Sequence, residues 1–160
     1  MKKVLIVEDE ILARLGLRQL VDWRKLELEL LPDATDGEEA LEMIRNSCPD
    51  IILLDLNIPK VSGLEILEFL KKEEMPTKVI VVSCQEEFDV VKKAMKLGAY
   101  DYLRKLNLSS DELENILEKC LVETEERITV HMQGIREIRY EEIARDSREY
   151  FGRLPVIIRH

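Results

Sequence analysis

Short apolar runs alternate with longer amphipathic stretches along the chain. Val4–Val7, Leu28–Leu31, Ile51–Leu54, Val79–Val82 and Tyr100–Leu103 read as strands. Between them apolar residues recur at helical spacing. Ala40, Leu41 and Ile44 share one face, as do Gly63, Ile66, Leu67 and Leu70. The same spacing links Phe88, Val91, Ala94 and Met95, and then Leu113, Ile116, Leu117, Cys120 and Leu121. The segment from Ile11 to about Val21 is less cleanly patterned but completes five helices. Asp36-Gly37 and Ser109-Ser110-Asp111 are fitting helix starts. Strand–helix alternation repeated five times predicts an α/β fold, a doubly wound parallel sheet. The first, third and fourth strands are apolar on both faces, as buried central strands must be. The second alternates Glu27, Leu28, Glu29, Leu30, and the fifth is short and polar. Both suit sheet edges, which gives the flavodoxin-like order 2-1-3-4-5.

Composition fits that reading. The chain has 160 residues, 46% of them hydrophobic, about one domain's worth. The balance of 33 acids against 24 bases gives a net charge of −9. That argues against direct contact with nucleic acid or an anionic membrane, since phosphate binding needs a basic footprint. No apolar run approaches the ~20 residues of a membrane span, and Glu8-Asp9-Glu10 ends the first run too soon for a signal peptide. Cys48, Cys84 and Cys120 are odd in number and widely spaced, so a reducing cytoplasm is the expected compartment. Near residue 122 the composition shifts. All the bases of residues 123–160 are Arg, whereas Lys prevails before. Residues 1–122 therefore read as one domain and 123–160 as a mainly helical extension. Leu117, Leu121, Thr124, Ile128, His131, Ile135 and Ile138 keep a 4-3 rhythm that a coiled-coil stalk would use, although Gly134 weakens it.

Ligands of open parallel sheets sit beyond the carboxyl ends of the strands. Here those ends run into Glu8-Asp9-Glu10, Asp55, Ser83 and Lys105. Two carboxylates ~5 Å apart repel by ~3 kcal/mol at an effective dielectric of ~20. Three in one pocket call for a cation, and an all-oxygen set suits Mg²⁺. A metal-clamped Asp can act as a nucleophile toward phosphorus. Metal, ammonium and hydroxyl would then neutralise the phosphoryl oxygens. Taken singly, each of these residues has a plainer reading: a solvated turn, a strand-end hydroxyl, a surface charge. Their joint placement favours a phosphoryl site.

Over residues 1–122 the chain resembles the receiver domains of two-component response regulators. The resemblance rests on Val7-Glu8-Asp9-Glu10, on Ile52-Leu53-Leu54-Asp55-Leu56-Asn57-Ile58-Pro59 with Gly63, on Val81-Val82-Ser83, and on Tyr102-Leu103-Arg104-Lys105. It implies that Asp55 accepts a phosphoryl group from a sensor histidine kinase. It also implies that Glu8, Asp9, Asp55 and the backbone carbonyl of Asn57 hold Mg²⁺. Lys105 and Ser83 would meet the phosphate, Tyr102 would change rotamer, and Asn57 and Gln85 would tune the phosphoryl lifetime. Homodimerisation on activation is expected. Val21-Asp22-Trp23, Ser83-Cys84-Gln85-Glu86-Glu87-Phe88 and Leu97–Leu103 resemble the subfamily whose receivers precede a linker and an AraC-type helix-turn-helix. DNA would be met only through that output domain, before which this chain is expected to stop.

Some features depart from the family pattern. Glu8 stands where Asp is commoner, Leu106 where Pro is usual, and Cys84 where a smaller residue often packs beside the pocket. Cys84 is read as a small packing residue, and Trp23 as packing at the end of the first helix. Two other readings are weaker. A dehalogenase-like aspartyl phosphatase would carry a second Asp where Asn57 stands, and a degenerate receiver acting as a binding module would lack the complete acid, Ser83 and Lys105 set.

Overall fold

The computed structural model describes residues 1–84 and 87–137, with side chains described as far as Glu123. The chain runs β1 (Lys2–Val7), α1 (Ile11–Leu20), β2 (Leu28–Leu30), α2 (Gly37–Ser47), β3 (Ile51–Leu54), α3 (Gly63–Lys72), β4 (Lys78–Ser83), α4 (Phe88–Lys96), β5 (Asp101–Arg104) and α5 (Ser110–Glu137). The five strands form one sheet in the order β2-β1-β3-β4-β5, all neighbours parallel. It is the doubly wound fold expected from the alternation. By contact the chain divides into two compact units, Met1–Ile116 and Leu117–His160.

Pleating explains why the central strands are uniformly apolar. Successive side chains leave a strand on opposite faces. Leu5, Val7, Ile52, Leu54, Val79 and Val81 join Ala40, Ile44, Ile66, Leu67 and Ala94 in one buried cluster on the side of α2, α3 and α4. Val4, Ile6, Ile51, Leu53, Ile80 and Val82 alternate with them and are just as buried. Local chemistry sets the helix starts. Asp36 caps α2 by accepting from the Glu39 amide at 2.8 Å. Ser62 and Glu65 form a reciprocal capping box at the start of α3 (3.2 and 2.9 Å). Trp23 is buried, and its indole donates to the Arg18 carbonyl at 3.1 Å, as packing after α1 requires.

Two sequence expectations are corrected. The inward face of α4 is not the one set by Phe88, Val91, Ala94 and Met95. Phe88 is 74% exposed and Met95 43%, while Val90, Ala94 and Leu97 meet the core. Spacing of 4 and 3 from Val90 satisfies the helical period equally well, and contact with the core decides between the two registers. Phe88 instead lies beneath the Lys92 ammonium, 5.8 Å from the ring centroid. Cys84 is likewise not a packing residue: it is exposed just beyond β4. α5 extends to Glu137; the side chains of the Thr124–Ile138 stripe and the rest of the tail lie outside the described residues.

Close approaches fix the segment that follows β3. A Cβ on Gly63 would lie 2.6 Å from Leu56 Cα and 2.9 Å from the Asp55 carbonyl oxygen, and one on Gly37 would overlap the Val61 carbonyl oxygen. The Gly37 amide donates to the Pro59 carbonyl at 3.0 Å. Backbone thus packs on backbone on both sides of residues 55–61. Gly16, in the middle of α1, has nothing within 4 Å of an added Cβ. The two glycines therefore respond oppositely to alanine. Gly37→Ala is expected to destabilise the fold by about 1–3 kcal/mol through overpacking. Gly16→Ala is expected to stabilise it by about 0.5–1 kcal/mol through the helix-interior preference for Ala. Chemical denaturation of the two variants checks the opposite signs.

Candidate functional site

Strand register brings the chemistry to one end of the sheet. Val7 pairs with Leu54, Leu54 with Val81, and Ser83 with Arg104. Glu8 and Asp55 therefore emerge side by side from adjacent strands, and Lys105 emerges from β5, across β4, at the same end. The Asp55 amide donates to the Val7 carbonyl and the Lys105 amide to the Ser83 carbonyl, each at 3.0 Å, so the parallel ladder continues into the site.

Lys105 is the hub. Its Nζ lies 2.6 Å from Glu8 Oε1, 3.0 Å from Asp55 Oδ2 and 3.1 Å from Glu10 Oε1. Burial alone would pull the lysine pKa down, but hydrogen bonds to Glu8, Asp55 and Glu10 outweigh it and hold the ammonium well above its ordinary range. Glu8 is 1% exposed. Burial pushes its carboxyl above the usual range despite hydrogen bonds from Lys105 and from the Glu10 amide (3.0 Å). By linkage, a raised carboxyl pKa means that ionising Glu8 costs the metal-free fold stability as pH climbs through that value. Asp55 is also buried, and its Oδ1 accepts from the Asn57 amide at 3.1 Å.

One oxygen each from Glu8, Asp9 and Asp55 fall within 4.8 Å of one another. Glu8, Asp9, Glu10 and Asp55 meet at this end of the sheet, and the one Lys105 ammonium pairs with Glu8, Glu10 and Asp55, so the cluster keeps an excess of negative charge. The donors are hard oxygens, two of them on buried side chains and one, Asp9, open to solvent. That set fits a cation that takes a few carboxylates and retains water, as Mg²⁺ does.

Of the residues singled out from sequence, Glu8, Asp9, Asp55 and Lys105 come together here. Ser83 is fully buried at the end of β4, next to the strand that delivers Lys105. Tyr102 is half-buried and packs against the core cluster. Asn57 is exposed just after Asp55. Gln85 lies outside the described residues. Sequence reasoning missed two participants. Glu10, read only as part of an acidic turn, is a third partner of Lys105; its adjacency to Glu8 was the available signal. Arg14, whose Nη1 donates to the Glu8 and Asp9 carbonyls, left no trace in the apolar pattern.

Residues 4–118 match the response regulator receiver domain family, and the chain belongs to it. It is 33% identical over 118 residues to an uncharacterized response regulatory protein of Staphylococcus epidermidis, covering 74% of this chain and 46% of that one. It is 35% identical over 103 residues to the transcriptional regulatory protein DegU of Brevibacillus brevis, covering 64% and 43%. Among solved structures, the receiver domain of AraT, a response regulator from Geobacillus stearothermophilus, superposes with a TM-score of 0.71 at 31% identity, covering 79% of this chain and 97% of that one. The chain thus spans under half the length of these curated relatives. It is a receiver domain of two-component response regulators, homologous to transcriptional regulators. Among the described residues no helix is long and apolar enough to cross a membrane.

Crowded carboxylates make a specific prediction. Asp9→Asn relieves like-charge repulsion, so in EDTA it is expected to melt a few degrees above the wild type. Mg²⁺ is expected to raise the wild-type melting temperature by mass action and to leave Asp9→Asn nearly unmoved. Thermal scans with EDTA and with Mg²⁺ check both shifts.

Proposed function

We propose that Asp55 is the phosphoacceptor of this receiver and that a sensor histidine kinase supplies the phosphoryl group. The observation that carries the reading is the Lys105 ammonium 3.0 Å from Asp55 Oδ2, within a cluster whose other carboxylates are Glu8 and Asp9. An Asp55 oxygen attacks the phosphorus of a phosphohistidine. The new P–O bond forms as the P–N bond breaks, and the imidazole departs with the electron pair. Glu8, Asp9, Asp55 and the Asn57 backbone carbonyl would hold Mg²⁺, which supplies positive charge for the oxygens of the phosphoryl group in flight. Lys105, already ionised and aimed at Asp55, takes a second oxygen. The buried Ser83 hydroxyl, one strand away, takes a third.

The event puts a phosphoryl group of about −1.5 to −2 charge beside Lys105, in place of the single negative charge of the Asp55 carboxylate. Movement of Ser83 toward that charge, followed by a rotamer change of the half-buried Tyr102, carries it to α4, β5 and α5. Asn57 and Gln85 stand at the sequence positions where the family tunes how long the phosphoryl group lasts. Residues 1–122 form the receiver, and 123–160 a linker toward an output domain in the cytoplasm. The output is transcriptional, as the name of the DegU relative suggests for that protein, and the motif phrases Val21-Asp22-Trp23 and Ser83–Phe88 favour an AraC-type helix-turn-helix. Phosphorylation promotes homodimerisation, and DNA is contacted only through the output domain. Catalysis by the receiver extends only to its own phosphorylation and slow dephosphorylation.

Incubation with Mg²⁺ and a small-molecule phosphodonor is expected to add one phosphoryl mass to the intact chain, read by mass spectrometry. Asp55→Asn is expected to abolish the gain, and Lys105→Ala to slow it severely. A mass gain that persists in Asp55→Asn places the nucleophile elsewhere.

A further inference from the structure

The turn between β1 and α1 carries two of the clustered acids, yet it lacks the ordinary device for starting a helix. Glu10 occupies the N-cap position of α1 and its side chain caps nothing. A capping side chain normally accepts from an amide two or three residues on. Arg14 secures this turn from the opposite direction. One turn into α1, its Nη1 donates to the backbone carbonyls of Glu8 (3.0 Å) and Asp9 (3.1 Å). Its Nε lies 3.8 Å from Asp33 Oδ2, and Arg18 Nη1 holds Asp33 Oδ1 at 2.6 Å. These side chains are mostly shielded: Arg14 is 18% exposed and Asp33 15%. Asp33 is itself anchored, because its neighbour Ala34 exchanges backbone hydrogen bonds with β1. The Ala34 amide donates to Ile6 at 2.9 Å, and the Glu8 amide donates to Ala34 at 3.0 Å.

From this geometry we infer that Arg14 is a positioning residue for the metal ligands. The inference rests on the assignment of Glu8 and Asp9 as Mg²⁺ ligands. Two hydrogens of one guanidinium nitrogen reach the carbonyls of two consecutive residues. That fixes both peptide planes, and with them the directions in which the Glu8 and Asp9 carboxylates leave the chain. Asp33 keeps the guanidinium from swinging into solvent. A lysine can offer its protons to the same carbonyls but lacks the planar fork that also faces Asp33.

The sign of the effect separates this role from charge alone. A guanidinium beside a divalent-cation site repels the cation, so removing a mere charge tightens Mg²⁺ binding. Removing a positioning group weakens it. Arg18 is the control, since it shares Asp33 but touches neither carbonyl.

Calorimetric titration of the full chain with Mg²⁺ is expected to show binding weakened about tenfold in Arg14→Ala, the scale for residues that orient metal ligands. Arg14→Lys should recover part of the loss, and Arg18→Ala should bind as the wild type does or slightly tighter. A second readout needs no metal. In EDTA, hydrogen exchange at the Glu10 amide, which donates to Glu8 Oε2, should quicken in Arg14→Ala while the β3 amides Ile52–Leu54 stay protected. If Arg14→Ala does not fold, the same two measurements on Arg14→Lys decide. Unchanged or tighter Mg²⁺ binding in a folded Arg14 variant, or unchanged Glu10 exchange, overturns the inference. A wild-type chain that takes up no Mg²⁺ overturns the ligand assignment itself, and this role with it.

Discussion

Electrostatic crowding at the carboxyl end of the sheet is the constraint on which the rest of the site depends. Four acids from two loops meet there, and Lys105 is the ammonium that binds three of them. Glu8, Asp9 and Asp55 bring oxygens within 4.8 Å of one another, and two carboxylates ~5 Å apart at an effective dielectric of ~20 repel by ~3 kcal/mol. One ammonium cannot cancel that sum. The fold holds the acids together because hydrophobic burial along β1, β3 and β4 sets their strand ends side by side. The stored repulsion is what a divalent cation, and then a phosphoryl group facing Lys105, would relieve or exploit. Stability and function thus pull against each other at Glu8, whose buried carboxyl resists ionisation.

The supporting structure packs closely around this crowded end. Gly37 and Gly63 let backbone approach backbone on either side of the Asp55–Val61 segment. The capping box of Ser62 and Glu65 starts α3 immediately after it. On the other flank the β1–α1 turn is gripped by Arg14 through the Glu8 and Asp9 carbonyls. Neither loop is long or slack, as expected where carboxylates must keep their directions.

Much of this was legible in the residues. Apolar runs at Val4–Val7, Ile51–Leu54 and Val79–Val82 name the buried strands, and the polar second and fifth runs name the edges. Parallel topology then brings Glu8, Asp55, Ser83 and Lys105 to one end with no knowledge of side-chain positions. What was illegible depended on three-dimensional choice. The α4 face has two helical registers of nearly equal merit, and only packing selects Val90, Ala94 and Leu97 over Phe88 and Met95. Exposure of Cys84 follows from β4 ending at Ser83. Arg14 escaped notice because its partners are backbone carbonyls, which carry no residue identity. The third partner of Lys105, Glu10, was visible as a letter but not as a contact.

Paramagnetic broadening by Mn²⁺, a divalent stand-in for Mg²⁺, tests the acidic cluster of Glu8, Asp9 and Asp55 most directly. Titrated in small amounts into the ¹⁵N-labelled chain, it should first erase the amide signals of Glu8–Glu10, Asp55–Asn57 and Lys105. Those at the opposite end of the sheet, Lys2, Ile51 and Lys78, should survive. Broadening that spares Asp55 or Asp9, or that spreads evenly over the acidic surface, would contradict the account.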